Sequence, residues 1–167
     1  MDPPAVVEVS EPVLLSVWEP SPDEAVRRML KLTRLQPGEV HFDLGSGDGR
    51  VVVAAAALGA QSTGYEIDRE LIESSRARIA EAGLADRARI LNQDLLNADF
   101  GSVDVLTTYL TPESYAPLVP LLERDLRPGV RVAVYKFPVP GWEPDAVERW
   151  QDPDPDIPPH EVFFYQR

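Results

Sequence analysis

The sequence predicts an α/β fold. It is a doubly wound, seven-stranded, mainly parallel sheet in three layers (α/β/α), closed by a C-terminal antiparallel hairpin. Three observations predict it. From residue 21 to residue 137, short apolar runs alternate with segments of helical periodicity, the pattern of strands joined by crossover helices. A glycine-rich loop connects the first such run to a helix. Near the C-terminus, 146–150 and 161–165 are rich in strand formers and are joined by a loop of prolines and aspartates, so they pair as a hairpin.

The elements follow in order. Residues 1–17 form an N-terminal arm, acidic, proline-bearing and partly apolar, that is either disordered or laid along the surface. Residues 18–167 form a single domain. A helix starts at Ser21-Pro22, with Ser21 as N-cap, Pro22 at the first helical position and Glu24 three residues after the cap. Ala25, Val26, Met29, Leu30 and Leu32 form its apolar face, and Pro37-Gly38 ends it. Strands are predicted at 39–44, 61–66, 88–91, 103–108 and 130–137. Helices are predicted at 50–58, 69–82 and from Pro112, where Pro117 and Pro120 are expected to shorten or distort the last one. Asp68 caps the helix at 69 and Gly83 ends it. Such a Rossmann-like sheet binds ligands at the C-terminal ends of its strands, where the strand order reverses. Asp43, Glu66, Asp94 and Tyr109 all fall at those ends.

The loop reads Asp43-Leu44-Gly45-Ser46-Gly47-Asp48-Gly49-Arg50. Glycines at alternate positions leave bare backbone and permit positive φ. A dinucleotide site wants Gly-x-Gly-x-x-Gly and seats a pyrophosphate on helical N–H groups. Here the spacing is Gly-x-Gly-x-Gly, with Asp43 ahead of it and Asp48 inside it. Two carboxylates repel a pyrophosphate but suit S-adenosyl-L-methionine, which carries a sulfonium and an ammonium and no phosphate. A glycine turn that binds nothing is the bland alternative. Glu66, 23 residues after Asp43, is placed to accept both ribose hydroxyls, next to Ile67. Asp94 is placed to accept from an adenine amine, with Leu95 beside the ring; its alternative is a surface turn. Trp18 falls near the loop, as a wall of the acceptor channel or as a packing anchor.

Composition narrows the function. The net charge is −12 with no dense Lys/Arg cluster, which argues against nucleic acid as partner. There is no cysteine and there are two histidines, so thiolate catalysis, disulfides and Cys- or His-rich metal sites are excluded. No apolar run approaches the ~20 residues needed to span a bilayer. The N-terminus does not read as a secretory signal. A cytoplasmic protein is expected, and a monomer.

The run Asp43 to Arg50, with Tyr65-Glu66-Ile67-Asp68, resembles the class I, seven-β-strand S-adenosylmethionine-dependent methyltransferases. Over residues 18–145 the chain is similar to the small prokaryotic protein-lysine methyltransferases, whose mitochondrial relatives modify a component of the ATP synthase and the adenine-nucleotide translocase. The residues that carry this are Trp18-Glu19-Pro20-Ser21-Pro22, Tyr109-Leu110-Thr111-Pro112 and Phe137-Pro138-Val139-Pro140-Gly141-Trp142-Glu143-Pro144. Trp18 stands where many relatives have Tyr, and Thr111 where they have Leu; a lysine at 136 is unexpected. The resemblance implies methyl transfer to a lysine of a protein substrate, releasing S-adenosyl-L-homocysteine. A small-molecule acceptor and a non-catalytic cofactor-binding protein are the alternatives. Tyr109 is expected to orient the amine, through its hydroxyl or its carbonyl, unless it is a core aromatic. Trp18 is expected to stack on the cationic side chain.

Overall fold

Residues 18–167 are described in a computed structural model; the N-terminal arm expected over 1–17 lies outside them. Strands β1 (Val40–Leu44), β2 (Gln61–Glu66), β3 (Ala88–Asn92), β4 (Val105–Thr108) and β5 (Arg131–Tyr135) run parallel. Strands β6 (Ala146–Trp150) and β7 (His160–Gln166) form the antiparallel hairpin. The spatial order is β3-β2-β1-β4-β5-β7-β6. Strand order therefore reverses between β1 and β4, and β7 pairs with β5 in antiparallel fashion.

Side chains alternate along each strand, so one sequence serves two cores. Phe42 and Leu44 of β1 pack with Leu106 and with Tyr115, Leu118 and Leu122 of helix α4 (Pro112–Asp125). On the opposite face, Ala25, Val26, Met29 and Leu30 of α1 (Asp23–Leu32) join Val51 and Ala55 of α2 (Arg50–Ala57), over Val105 and Ala133. Helix α3 (Arg69–Glu81) extends that layer toward β3 through Ile72 and Ile79. Three helices thus cover one face. The other face is covered by α4 and by the segment holding Val139 and Trp142, whose indole donates to Glu123 at 3.0 Å.

Two local expectations are corrected. Helix α1 begins one residue later than predicted, with Pro22 rather than Ser21 at the cap position. Pro22 is extended (φ −57, ψ 148), and its carbonyl accepts the first helical bond from Val26 at 3.1 Å. Ser21 instead gives its carbonyl to Arg50 Nη1 at 3.0 Å, tying the start of α1 to the start of α2. Helix α4 is not shortened: it runs 14 residues with Pro117 and Pro120 inside it. Each proline lacks the N–H that would reach the carbonyl four residues back, on Glu113 and Ala116. All four of these residues are exposed, so water satisfies the freed carbonyls.

Leu118 is fully buried where α4 meets the sheet. Leu118→Ala is expected to cost about 2–5 kcal/mol in urea unfolding, with an unchanged dependence on denaturant.

Candidate active site

The C-terminal ends of β1, β2 and β4 border a cavity of about 820 Å³. Asp43, Gly45, Ser46, Asp48, Glu66, Ile67, Asp94, Leu95, Tyr109 and Trp18 all line it; Gly47 and Gly49 do not. Asp43 and Glu66 thus share one crevice, and among the described residues no side chain plugs it.

The loop between β1 and α2 is strapped to the end of β2. Gly45 and Ser46 both donate their N–H to the Tyr65 carbonyl at 3.0 Å. Glu66 accepts from Gly47 N at 2.9 Å, and from Ile67 N and Asp68 N at 2.8 and 3.0 Å. The glycines serve the protein as much as a ligand. A Cβ on Gly47 would strike the Trp18 indole, and one on Gly49 would lie 2.7 Å from Ser75 Cβ of α3. Both residues also have positive φ, +54 and +79. The bare backbone therefore admits Trp18 and α3, which the expectation of room for a ligand alone did not include. The Ser46 hydroxyl packs on Gly64 and has no hydrogen-bond partner among the described residues.

The acids differ in state. Burial works against the charge of Asp48, but hydrogen bonds and charge from Arg50, with Arg78 behind, hold it below the ordinary carboxylate range. Arg50 grips it at 3.0 and 2.8 Å, and Arg78 at 2.9 Å. Asp48 therefore does not present the free charge expected to repel a pyrophosphate, since two guanidiniums offset it. Asp43 has no such cation among the described residues. Burial, against the Thr107 hydrogen bond and with Glu66 and Asp48 nearby, pushes it up to about 7. A buried carboxylate beside a second one fits a ligand that brings its own positive charge.

Asp94 does what a turn residue does: it caps the 3₁₀ turn Leu95–Asn97, accepting from Leu96 N at 2.9 Å. It nonetheless borders the cavity. Asp68 caps α3 as expected, accepting from Glu70 N and Leu71 N.

At the other end, Trp18, Glu19, Tyr109, Thr111, Lys136 and Phe137 line the cavity. The Tyr109 hydroxyl donates to the Glu19 carboxylate and accepts from Lys136 Nζ at 3.2 Å. Lys136 Nζ is 3.5 Å from Glu19 and lies 5.7 Å from the Tyr109 ring centre and 5.5 Å from that of Phe137. Burial and then Glu19 raise the Tyr109 hydroxyl above its usual range, so it stays protonated. The Tyr109 hydrogen bond lowers Glu19. Lys136 has φ +70, a conformation a lysine seldom takes, held by its N–H to the Glu161 carbonyl at 2.8 Å. Sequence reasoning missed Glu19, whose one signal was its place beside Trp18. It noticed Lys136 without a role. It also missed His41, Ser62 and Thr107, which lie behind Asp43.

A family model described as the ANTKMT methyltransferase domain matches residues 43–146. A protein-lysine N-methyltransferase of Saccharolobus islandicus (strain REY15A) is 33% identical over 150 residues, 89% of this chain and 91% of that protein. The adenine nucleotide translocase lysine N-methyltransferase of Mus musculus is 34% identical over 123 residues, 73% of this chain; the chain spans about half (53%) of its length. A crystal structure described as an RNA methyltransferase from Salinibacter ruber, in complex with S-adenosyl-L-homocysteine, superposes with a TM-score of 0.80 at 36% identity. That match covers 89% of this chain and 93% of that one.

The state of Asp43 has a sign that can be checked. Its folded value lies above its unfolded one, so the fold favours the protonated acid. The contribution of Asp43 to stability is full at low pH and is lost as pH rises from about 3.8 through about 7. Asp43→Asn should therefore stabilise the ligand-free protein by roughly 2–4 kcal/mol at pH 8, and by less toward pH 4, in parallel urea titrations.

Proposed function

Because the chain belongs to the ANTKMT methyltransferase family, we propose that it is an S-adenosyl-L-methionine-dependent protein-lysine N-methyltransferase. The observation that carries this is the sharing of one crevice by Asp43 and Glu66, with an aromatic-walled acceptor end formed by Trp18, Tyr109 and Phe137. The relatives' lysine acceptors support the substrate class. When bound, the cofactor supplies a methyl group on a sulfonium, and displacement forms the N–C bond as the C–S bond breaks, leaving S-adenosyl-L-homocysteine.

The chain's own residues divide the remaining work. Asp43 holds the cationic end of the cofactor. Glu66 takes the ribose, and Asp94 with Leu95 and Ile67 borders the adenine. The loop from Gly45 to Gly49 shapes the cradle, in which Ser46 and Asp48 also stand. The Tyr109 hydroxyl proton is committed to Glu19, so its oxygen can only accept from an incoming N–H. An amine that donates to it keeps its lone pair for the methyl carbon. A lysine amine must first lose a proton from a usual pKa near 10.4, and the resident Lys136 ammonium disfavours a second ammonium there. Positioning then supplies much of the acceleration.

In this reading the enzyme acts as a cytoplasmic monomer on a protein with an accessible lysine, without nucleic acid. The net charge of −12 supports a basic protein segment over RNA, despite the description of the Salinibacter relative. Among the described residues no helix is long and apolar enough to cross a membrane.

Incubation with methyl-labelled cofactor and a cell lysate, followed by mass spectrometry, should find label on lysine side chains; label confined to RNA or to small molecules would sink the proposal. Tyr109→Phe is expected to lower kcat at least tenfold while S-adenosyl-L-homocysteine affinity, by calorimetry, changes less than about twofold. Asp43→Ala and Glu66→Ala should each weaken that affinity by roughly tenfold or more.

A further inference from the structure

Asp43 is the visible end of a buried chain of polar groups. Ser62 Oγ lies 2.7 Å from His41 Nδ1, and His41 Nε2 lies 2.9 Å from Thr107 Oγ1. Thr107 Oγ1 in turn donates to Asp43 Oδ1 at 2.7 Å. The four side chains come from three adjacent strands, β2, β1 and β4, in register: His41 is paired with Ser62, and Asp43 with Thr107. His41 and Thr107 are 0% exposed, Ser62 2% and Asp43 4%. Such positions in a central sheet normally hold apolar residues, and polar groups there are costly unless every hydrogen is used.

Counting hydrogens fixes the direction of the chain. Thr107 has one hydroxyl hydrogen, and an ionised Asp43 has none, so Thr107 donates to Asp43. Thr107 Oγ1 then accepts from His41, which puts the imidazole hydrogen on Nε2. His41 Nδ1 must therefore accept from the Ser62 hydroxyl. Every hydrogen points toward the carboxylate. If Asp43 takes up a proton on Oδ1, the oxygen that faces Thr107, each bond reverses and the Ser62 hydroxyl turns its own hydrogen away from the ring. Asp43 donates to Thr107, Thr107 donates to His41 Nε2, and the imidazole hydrogen moves to Nδ1, facing Ser62. Only a neutral imidazole can do both, and burial holds His41 neutral, with its pKa lowered to about 3.

We propose that His41 and Thr107 are positioning residues for the cofactor's cationic end, that Asp43 takes its proton on Oδ1, and that the tautomer of His41 and the charge of Asp43 are therefore a single variable. The proposal rests on the reading of Asp43 as the group that meets that cation. The charged groups facing Asp43 are Glu66 from β2 and Asp48 from the glycine loop, the latter neutralised by Arg50 of α2 and Arg78 of α3. Facing His41, α1 and α2 contribute apolar residues to this side of the sheet. The bound cation therefore stabilises one polarity of the whole chain, and Thr107 and His41 aid binding without touching the ligand.

The test combines nitrogen-15 NMR of the His41 ring with calorimetry of S-adenosyl-L-homocysteine from pH 5 to pH 9. In the free wild-type protein the ring should carry its hydrogen on Nδ1 at pH 5 and on Nε2 at pH 9. In the complex it should stay on Nε2 throughout. Thr107→Val should weaken binding roughly tenfold to a hundredfold and move the pH midpoint of binding upward, while Thr107→Ser restores both. A His41 tautomer that ignores pH and ligand overturns the proposal. So does a Thr107→Val protein with wild-type affinity and midpoint. If Thr107→Val does not fold, the wild-type NMR titration and Thr107→Ser still decide. Failure of the wild type to bind S-adenosyl-L-homocysteine would sink the methyltransferase reading, whereas the tautomer switch of the free protein would stand or fall separately.

Discussion

The fold's crevice depends on one carboxylate satisfying three backbone N–H groups. Glu66, the last residue of β2, takes hydrogens from Gly47 in the loop after β1 and from Ile67 and Asp68 in the turn before α3. Without it, the buried Gly47 N–H would be orphaned at a cost of about 1–3 kcal/mol, and the half-buried Ile67 and Asp68 N–H groups would lose their partner. With it, the glycine loop is bent back on the end of β2, and the gap between β1 and β4 stays open. Gly47 is required twice over, for its positive φ and for the indole lying against it.

Around that strap the acids are sorted by whether the protein supplies a cation. Asp48 is given two guanidiniums and becomes part of the scaffold. Asp43 is given only a hydroxyl, and the ligand-free protein carries the cost of a buried carboxylate near pH 7. His41 leans the other way: its lowered pKa costs stability as pH falls below about 6.5. The two buried groups therefore tilt stability in opposite directions, and a ligand that brought a cation to Asp43 would offset the first of these costs. Such local cost is typical of positions kept for binding rather than for stability.

The architecture was legible because its signals repeat. Apolar runs of strand length alternate with helical periodicity, and the aspartate at 68 and the glycine at 83 punctuate one helix as their chemistry dictates. The prolines of α4 misled because proline is read as a breaker without knowing which carbonyls it frees; here those carbonyls face water. The strand-end part of the candidate site was legible, since Asp43 and Glu66 stand in the places that any such sheet assigns and line one cavity. The aromatic end of the cavity was half legible. Glu19 carries no motif of its own, and its pairing with Tyr109 spans 90 residues. The His41 chain was hidden for another reason: a single histidine, serine and threonine on three strands look like isolated polar residues until register brings them together.

The placement of β4 beside β1 has a kinetic consequence. Thr107 follows Asp43 by 64 residues, and the segment between them holds β2, β3, α2 and α3. A parallel pair so distant in sequence closes a long loop before any of its contacts repay the lost chain entropy. The half of the sheet from β1 to β3 can assemble from nearer pairings, but the crevice does not exist until β4 docks. The crevice thus waits on this distant pairing, and a partly folded chain would expose the apolar edge of β1 in the interval, when it is open to misassociation.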